Sequence, residues 1–268
     1  MEKEMTPEQL RQVQLGILNA VTGFCRENGL RCLLDSGTLL GAVRHGGFIP
    51  WDDDIDLSMP REDYEKFIAL FPRDGRYRVL CSETERDYFY PFAKVADTHT
   101  RLSEENLTTI KNGGVSVDIF PLDGLPNDEK KRRRFQRRLW RLRTLCAYSA
   151  RVCAKDDSAY LRFKCLIARM IGTRRLLGAV ERMAKTYSMH DTVYGGQIVS
   201  FSKMYREVEN AVMEGTVMLD FEGGKYEAPL RYHDYLTAIY GDYMTPPPEN
   251  KRVSPHRFKA YFTDGTDG

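Results

Sequence analysis

Four aspartates, Asp52, Asp53, Asp54 and Asp56, crowd into the segment Trp51-Asp52-Asp53-Asp54-Ile55-Asp56-Leu57-Ser58-Met59. Its apolar members suit a strand that enters a core. Alternation along such a strand sets Asp52, Asp54 and Asp56 on one face and Asp53, Ile55 and Leu57 on the other. Three carboxylates on one face repel unless water solvates them or a cation offsets them, and oxygen donors at this spacing suit Mg²⁺ or Mn²⁺ rather than zinc. The chemically idle alternative is an acidic surface turn, which Trp51, Ile55, Leu57 and Met59 disfavour. A calcium loop of the EF-hand kind is disfavoured too, because Leu57 stands where the sharp turn needs glycine and Pro60 interrupts the loop.

Other residues could serve the same chemistry. Gly37-Thr38 lies between a strand and a helix, where backbone N–H groups can approach a phosphate. The sequence has neither G-x-x-x-x-G-K-[ST] nor G-x-G-x-x-G, so a P-loop and a dinucleotide fingerprint are both absent. Arg44 and His45 sit between the glycine turn and the aspartates, within reach of phosphates; an ordinary helix-terminal cation is the competing use of Arg44. Asp118 is a lone carboxylate in a largely apolar strand whose alternation puts Ser116, Asp118 and Phe120 on one face. Asp123, between Pro121 and Gly124, reads as a turn residue. Lys94 lies in an apolar strand context, and an inward lysine needs an anionic partner. In the tail, His233 reads as an exposed helix start, while Tyr232, Tyr235, Tyr240 and Tyr243 read as helical core more than as a cage for a quaternary ammonium group.

The elements that must hold these residues are legible in outline. Thr6-Pro7-Glu8-Gln9 begins a helix with Leu10, Val13, Ile17, Val21 and Phe24 at helical spacing, ended by Asn28-Gly29. Arg31–Leu34 reads as a strand, 38–44 as a short helix, 54–59 as a second strand and 61–70 as a helix. Further strands are expected at 77–81, 93–95 and 116–120. From Asp128 to about Tyr187 the pattern is helical and basic, and the rest alternates short strands, loops and helices. The expected division is a catalytic core over 1–127, a basic helical segment over 128–190, and a C-terminal part, 191–268, that completes the core.

At 268 residues, with 42% hydrophobic residues and 40 basic against 38 acidic, the chain can bury a core without staples. The six cysteines are dispersed, with no C-x-x-C pair and no His at zinc-ligand spacing, and read as reduced thiols. No apolar run suggests a membrane span, and MEKEMTPEQLRQ lacks the pattern of a signal peptide. The expected location is cytoplasmic. The run from Lys130 to Arg143 is the one marked charge asymmetry. It fits a solvated helix or an anionic membrane surface, giving peripheral contact at the inner face of the membrane, and no nucleic acid is expected as partner.

Taken together, LLDSGTLLGAVRHGGFIPWDDDIDL closely resembles the signature of the LicD family, whose members include bacterial phosphocholine transferases and the eukaryotic fukutin-related proteins. The resemblance continues in YPFAKVADTHT, VSVDIFPLDGLP and YEAPLRYHDYLTAIYGDYMTPPPENKRVSPH, so it touches most of the chain except the basic helices. It implies an α/β (α+β) nucleotidyltransferase-like mixed sheet flanked by helices, here with a helical basic insertion. It also implies a glycine turn on Gly37 with Thr38, a D-x-D strand on Asp54 with Asp56, and a third carboxylate on Asp118. Asp52 matches an acidic position in the run and joins these three as a candidate metal ligand, Lys94 matches the lysine of the third block, and His256 falls in the last block as a candidate site residue. The zinc-binding insertion of the eukaryotic relatives is not reproduced by the cysteine spacing.

The chemistry implied is metal-dependent transfer of phosphocholine from CDP-choline to a hydroxyl of a cell-surface glycan or its lipid-linked precursor. CDP-ribitol or CDP-glycerol would make similar demands on the metal site. Asp54, Asp56 and Asp118 are the expected catalytic residues, with one or two Mg²⁺ or Mn²⁺ ions as cofactor. A binding module without catalysis, for anionic membranes or nucleic acid, explains the basic run and leaves the glycine turn and the aspartates unexplained.

Overall fold

The computed structural model describes residues 4–201, 207–254 and 258–263. The chain opens with α1 (Pro7–Glu27), started by a capping box in which the Thr6 hydroxyl accepts from the Gln9 N–H and the Gln9 side chain accepts from the Thr6 N–H. Then come β1 (Leu33–Leu34), α2 (Ser36–His45), β2 (Asp56–Pro60), α3 (Arg61–Leu70), β3 (Tyr77–Leu80), β4 (Ala93–Asp97), β5 (Thr100–Glu104) and β6 (Ser116–Leu125). Three helices follow: α4 (Glu129–Ala150), α5 (Ala159–Ile171) and α6 (Thr173–Ala184). The last part holds β7 (Tyr194–Gly196), β8 (Glu207–Glu209), β9 (Thr216–Phe221), β10 (Gly224–Pro229), α7 (Tyr232–Tyr240) and β11 (Phe258–Phe262).

The main sheet runs β1-β2-β6-β4-β3, with β7 on β6 and β8 on β7. Only β2 and β6 pair in parallel; the other neighbours are antiparallel. This is the mixed α+β sheet the sequence implies. Two registers place the chemistry: Asp56 lies beside Asp118 across β2 and β6, and Asp118 beside Lys94 across β6 and β4. Pro121 fits inside β6 because it falls in the gap between the β4 partners, 116–119, and the β7 partners, 123–125, where the ladder on that side needs no donor.

Two apolar cores flank the sheet. One joins α1, α2 and α3 to the sheet through Ile17, Leu18, Val21, Phe67, Leu57 and Ile119; the other, under α4 and α6, is rich in Tyr88, Phe89, Tyr90, Phe92 and Phe120. Asp123 is not in a turn. It is the eighth residue of β6, its carboxylate buried and gripped by Arg61 at the head of α3, whose Nε and Nη2 donate to it at 2.7 and 2.6 Å. Continued alternation explains this: Asp123 differs from Asp118 by an odd number of positions, so it faces α3 rather than the cleft.

The basic run is likewise divided. Arg132 and Arg143 are buried; Arg132 donates to the Pro126 and Asn127 carbonyls and pairs with Glu207, and Arg143 donates to the carbonyls of Ile198 and Ser200. Arg133, Arg134, Arg137, Arg138 and Arg141 are exposed. Among the described residues no helix is long and apolar enough to cross a membrane, and all six cysteines are free thiols.

Candidate active site

The acidic segment is not a strand until Asp56. Residues 52–55 are irregular, and β2 begins at Asp56. The expected separation of Asp53 from Asp52 and Asp54 therefore fails: carboxylate oxygens of Asp52, Asp53 and Asp54 lie within 4.8 Å of one another. The loop is held from outside. Gln14 of α1 donates to the Asp53 carbonyl at 2.8 Å, Arg11 donates to the Pro50 carbonyl at 3.2 Å, and the Ser254 hydroxyl donates to the Asp53 carboxylate at 2.5 Å. The Phe48 N–H, just before the loop, donates to Glu222 at the tip of the β9–β10 hairpin at 2.9 Å.

These aspartates open on a cleft of about 600 Å³ that Gly37, Asp56, Asp118, Lys94, Glu104 and Ser116 also line. One wall is aromatic, made by Tyr90, Phe92, Phe120 and Phe201, and Tyr240, expected in the helical core, also lines the cleft. Within it Phe92 and Phe120 stack at 4.2 Å between centroids, and Phe201 lies 5.7 Å from Tyr90. The Tyr90 hydroxyl donates to Glu104 at 2.8 Å. Lys94 donates to Asp118 at 2.6 Å and stands 4.4 Å from the Tyr90 ring centroid. Burial works against the lysine's charge, but Asp118, Glu104 and Asp54 outweigh it and raise its pKa above the ordinary value.

Around the glycine turn, α2 starts two residues earlier than its sequence suggests. Asp35 caps it, accepting from the Ser36 N–H at 2.6 Å and from the Tyr235 hydroxyl, and Ser36 takes the left-handed conformation at φ 52°. Such strain in a residue with a side chain needs surrounding structure to fix it, and the buried Asp35–Tyr235 contact does so. Gly37 is needed for close approach: a Cβ there would sit 2.5 Å from Asp52 Oδ2. The Thr38 hydroxyl accepts from the Asp56 N–H at 2.8 Å, so Thr38 fixes the first residue of β2.

The structure thus gathers Asp52, Asp54, Asp56, Asp118, Gly37 and Lys94 along one cleft, with Thr38 directly behind Asp56. It does not bring Arg44 and His45 there. Both end α2; Arg44 donates to the Tyr243 carbonyl at 2.8 Å and to His45 at 3.0 Å, and neither lines the cleft. Burial, and then Arg252, lower the Arg44 pKa; burial, and then Arg44, lower that of His45. His256 lies outside the described residues. His233 is exposed and meets the Tyr243 hydroxyl at 2.9 Å, while Tyr235 and Tyr243 are buried, in keeping with core use. Sequence reasoning missed Glu104 and the aromatic wall. Tyr90 and Phe92 stand beside Lys94 in a block already singled out, but nothing local marked their rings as cleft-facing.

The donor set fits a divalent cation. Asp52, Asp53, Asp54, Asp56, Glu104 and Asp118 all face the cleft, and Lys94 is the only basic residue among the described residues lining it. Hard carboxylate oxygens in that excess match Mg²⁺ or Mn²⁺.

Comparison with known proteins agrees with this geometry. The family model described as LicD/FKTN/FKRP, nucleotidyltransferase domain, matches residues 29–141, from the residue before β1's lead-in through the first half of α4. The chain is similar to the lipopolysaccharide cholinephosphotransferase LicD of Haemophilus influenzae (strain ATCC 51907 / DSM 11121 / KW20 / Rd), at 28% identity over 97% of this chain and 99% of that protein. It is 40% identical to the human ribitol 5-phosphate transferase FKRP over 62 residues, 23% of this chain and 12% of that protein. An uncharacterized protein of Rickettsia prowazekii (strain Madrid E) matches at 54% over 72 residues, 24% of this chain and 27% of that one. With its carboxylate cleft on the matched sheet, the chain carries a LicD-type nucleotidyltransferase domain over residues 29–141 and is similar to a LicD cholinephosphotransferase along almost its whole length.

Proposed function

We propose that this chain transfers phosphocholine from CDP-choline to a hydroxyl of a cell-surface glycan or its lipid-linked precursor, with Mg²⁺ or Mn²⁺ held by Asp54, Asp56 and Asp118 and joined by Asp52. The observation that carries the reading is the surplus of carboxylates over the single lysine among the described residues that line the cleft. When bound, the metal neutralises charge on the donor's pyrophosphate.

The chain's own residues then have distinct tasks. Thr38 and the β2–β6 register fix Asp56 beside Asp118. Lys94 orients the Asp118 carboxylate and adds positive charge beside it, where phosphoryl oxygens need it. Gly37 leaves room for the Asp52 carboxylate to lie against the backbone. The acceptor oxygen attacks the phosphorus that bears choline, its proton passes to a carboxylate of the set, and the bond to the CMP oxygen breaks. The aromatic wall favours choline over ribitol or glycerol as the alcohol, because ring faces attract a quaternary ammonium group.

Release of CMP from a panel of CDP-alcohols tests the donor. Asp54→Asn and Asp56→Asn should each abolish transfer while the fold persists, and excess chelator should do the same to the wild type. Full turnover in chelator, or by the double variant, would defeat the metal mechanism.

A further inference from the structure

Helix α5 packs with its small residues and exposes its large ones. Cys165 and Ala168 are buried against the neighbouring helices α4 and α6. Tyr160, Phe163, Leu166, Ile167, Met170 and Ile171 are exposed, Tyr160 to 68% and Met170 to 75%. At about 100° per residue, Phe163, Ile167 and Met170 fall opposite Cys165 and Ala168, with Leu166 on one side and Tyr160 and Ile171 on the other. Soluble monomers rarely leave so continuous an apolar face uncovered.

Both margins of this face are basic. Arg162 and Arg169 border it beyond Leu166, and Lys164 borders it beyond Ile171. The three are held in place: Arg162 donates to the Ala154 and Lys155 carbonyls, Arg169 to the Arg151 carbonyl, and Lys164 lies 4.0 Å over the Tyr160 ring. Arg174 and Arg175 at the start of α6 are exposed, as is the outer row of α4, Arg133, Arg134, Arg137 and Arg138.

We propose that α5 is a docking helix for an anionic lipid bilayer, its apolar face set into the headgroup and acyl boundary and its flanking cations on the lipid phosphates. Charge complementarity selects this occupant: the face is apolar at its centre and cationic at both margins, the pattern of helices that lie in a membrane interface. The placement also suits the cleft. The corner between α4 and α5 is hydrogen-bonded to the segment around Leu107, a cleft residue, through Thr108 N–H to the Ala150 carbonyl and Val152 N–H to the Asn106 carbonyl, each 2.9 Å. The docking helix is thus joined, through that corner, to an element that forms one rim of the cleft. The docking itself does not depend on which alcohol is transferred.

Co-sedimentation with vesicles of phosphatidylcholine, alone or with added phosphatidylglycerol, tests the proposal. The wild-type protein should bind the anionic vesicles at least about ten-fold more tightly than the neutral ones, and the variant carrying Phe163→Ser, Ile167→Ser and Met170→Ser should lose at least about ten-fold of that affinity. Changing Arg133, Arg134, Arg137 and Arg138 to Gln should weaken binding most at low salt. Release of CMP with a soluble acceptor should be unchanged in both variants, which separates docking from catalysis. Should the triple variant melt early, Met170→Ser alone carries the test, since that side chain is three-quarters exposed. The proposal is overturned if the wild type ignores anionic vesicles, if the serine variant binds them equally well, or if light scattering finds a dimer that the serine variant dissolves, in which case a second copy covers the face.

Discussion

Two aspartates five positions apart on β6 should fail in opposite ways when each becomes asparagine. Asp123 is 2% exposed and makes a two-pronged ion pair with Arg61, whose side chain is 14% exposed. Glu181, 2.9 Å from Arg61, is 40% exposed and cannot replace it. Removing one partner of a buried pair costs about 3–5 kcal/mol. At about 2–4 °C per kcal/mol for a domain of this size, Asp123→Asn should lower Tm by about 6–20 °C. Its kcat, measured below the melting transition, should stay within about three-fold of wild type, since the side chain faces away from the cleft. Asp118→Asn should instead lower kcat at least about 10²-fold, as expected for one lost electrostatic contribution in a phosphoryl-transfer site. Its Tm should move less, because Lys94 keeps Glu104 and Asp54 nearby. Thermal melts by circular dichroism and CMP release on the two variants decide the matter. A near-normal kcat for Asp118→Asn, or a Tm shift under about 2 °C for Asp123→Asn, would refute the division of the strand into a catalytic and a structural face.

Two other substitutions probe the supports. Thr38→Val leaves the Asp56 N–H without its acceptor and should cost about 1–3 kcal/mol in urea unfolding and weaken Mg²⁺ binding measured by calorimetry, with Thr38→Ser restoring both. Lys94 is held charged by its carboxylate neighbours, so its raised pKa contributes stability that is full below the unfolded value of about 10.4 and fades as pH rises through the folded value. The difference in unfolding free energy between wild type and Lys94→Met should accordingly be flat from neutral pH to about pH 10 and shrink above it. A difference that grows with alkalinity would contradict the ion pair.

The sequence made legible what repeats locally. Helix α1 declared itself through Thr6, Pro7 and a clean apolar spacing, and α3 through Pro60 and the acidic turn that follows. Period-two alternation correctly grouped Ser116, Asp118 and Phe120 on the cleft side. It failed at Asp52 to Asp54 because those residues take their conformation from hydrogen bonds to Gln14 and Ser254, which no local pattern encodes. The turn reading of Asp123 failed because Pro121-Leu122-Asp123-Gly124 has the composition of a turn, while pairing with β2 and then β7, and the ion pair to Arg61, carry the strand through it. Glu104 and Phe201 reach the cleft only through the pairing of distant segments, and single positions carry no signal of that.

The aspartate loop is clamped by Gln14 near one end of the chain and by Glu222 and Ser254 near the other. During synthesis, which proceeds from the N-terminus at roughly 5–20 residues per second, the loop is made early and its last two clamps are made late. A nascent chain that had already laid down the sheet would still carry a slack, mutually repelling acidic loop. On the proposed metal reading, firm closure of the loop waits for Ser254: products cut short before that residue would be folded in part yet hold the ion poorly.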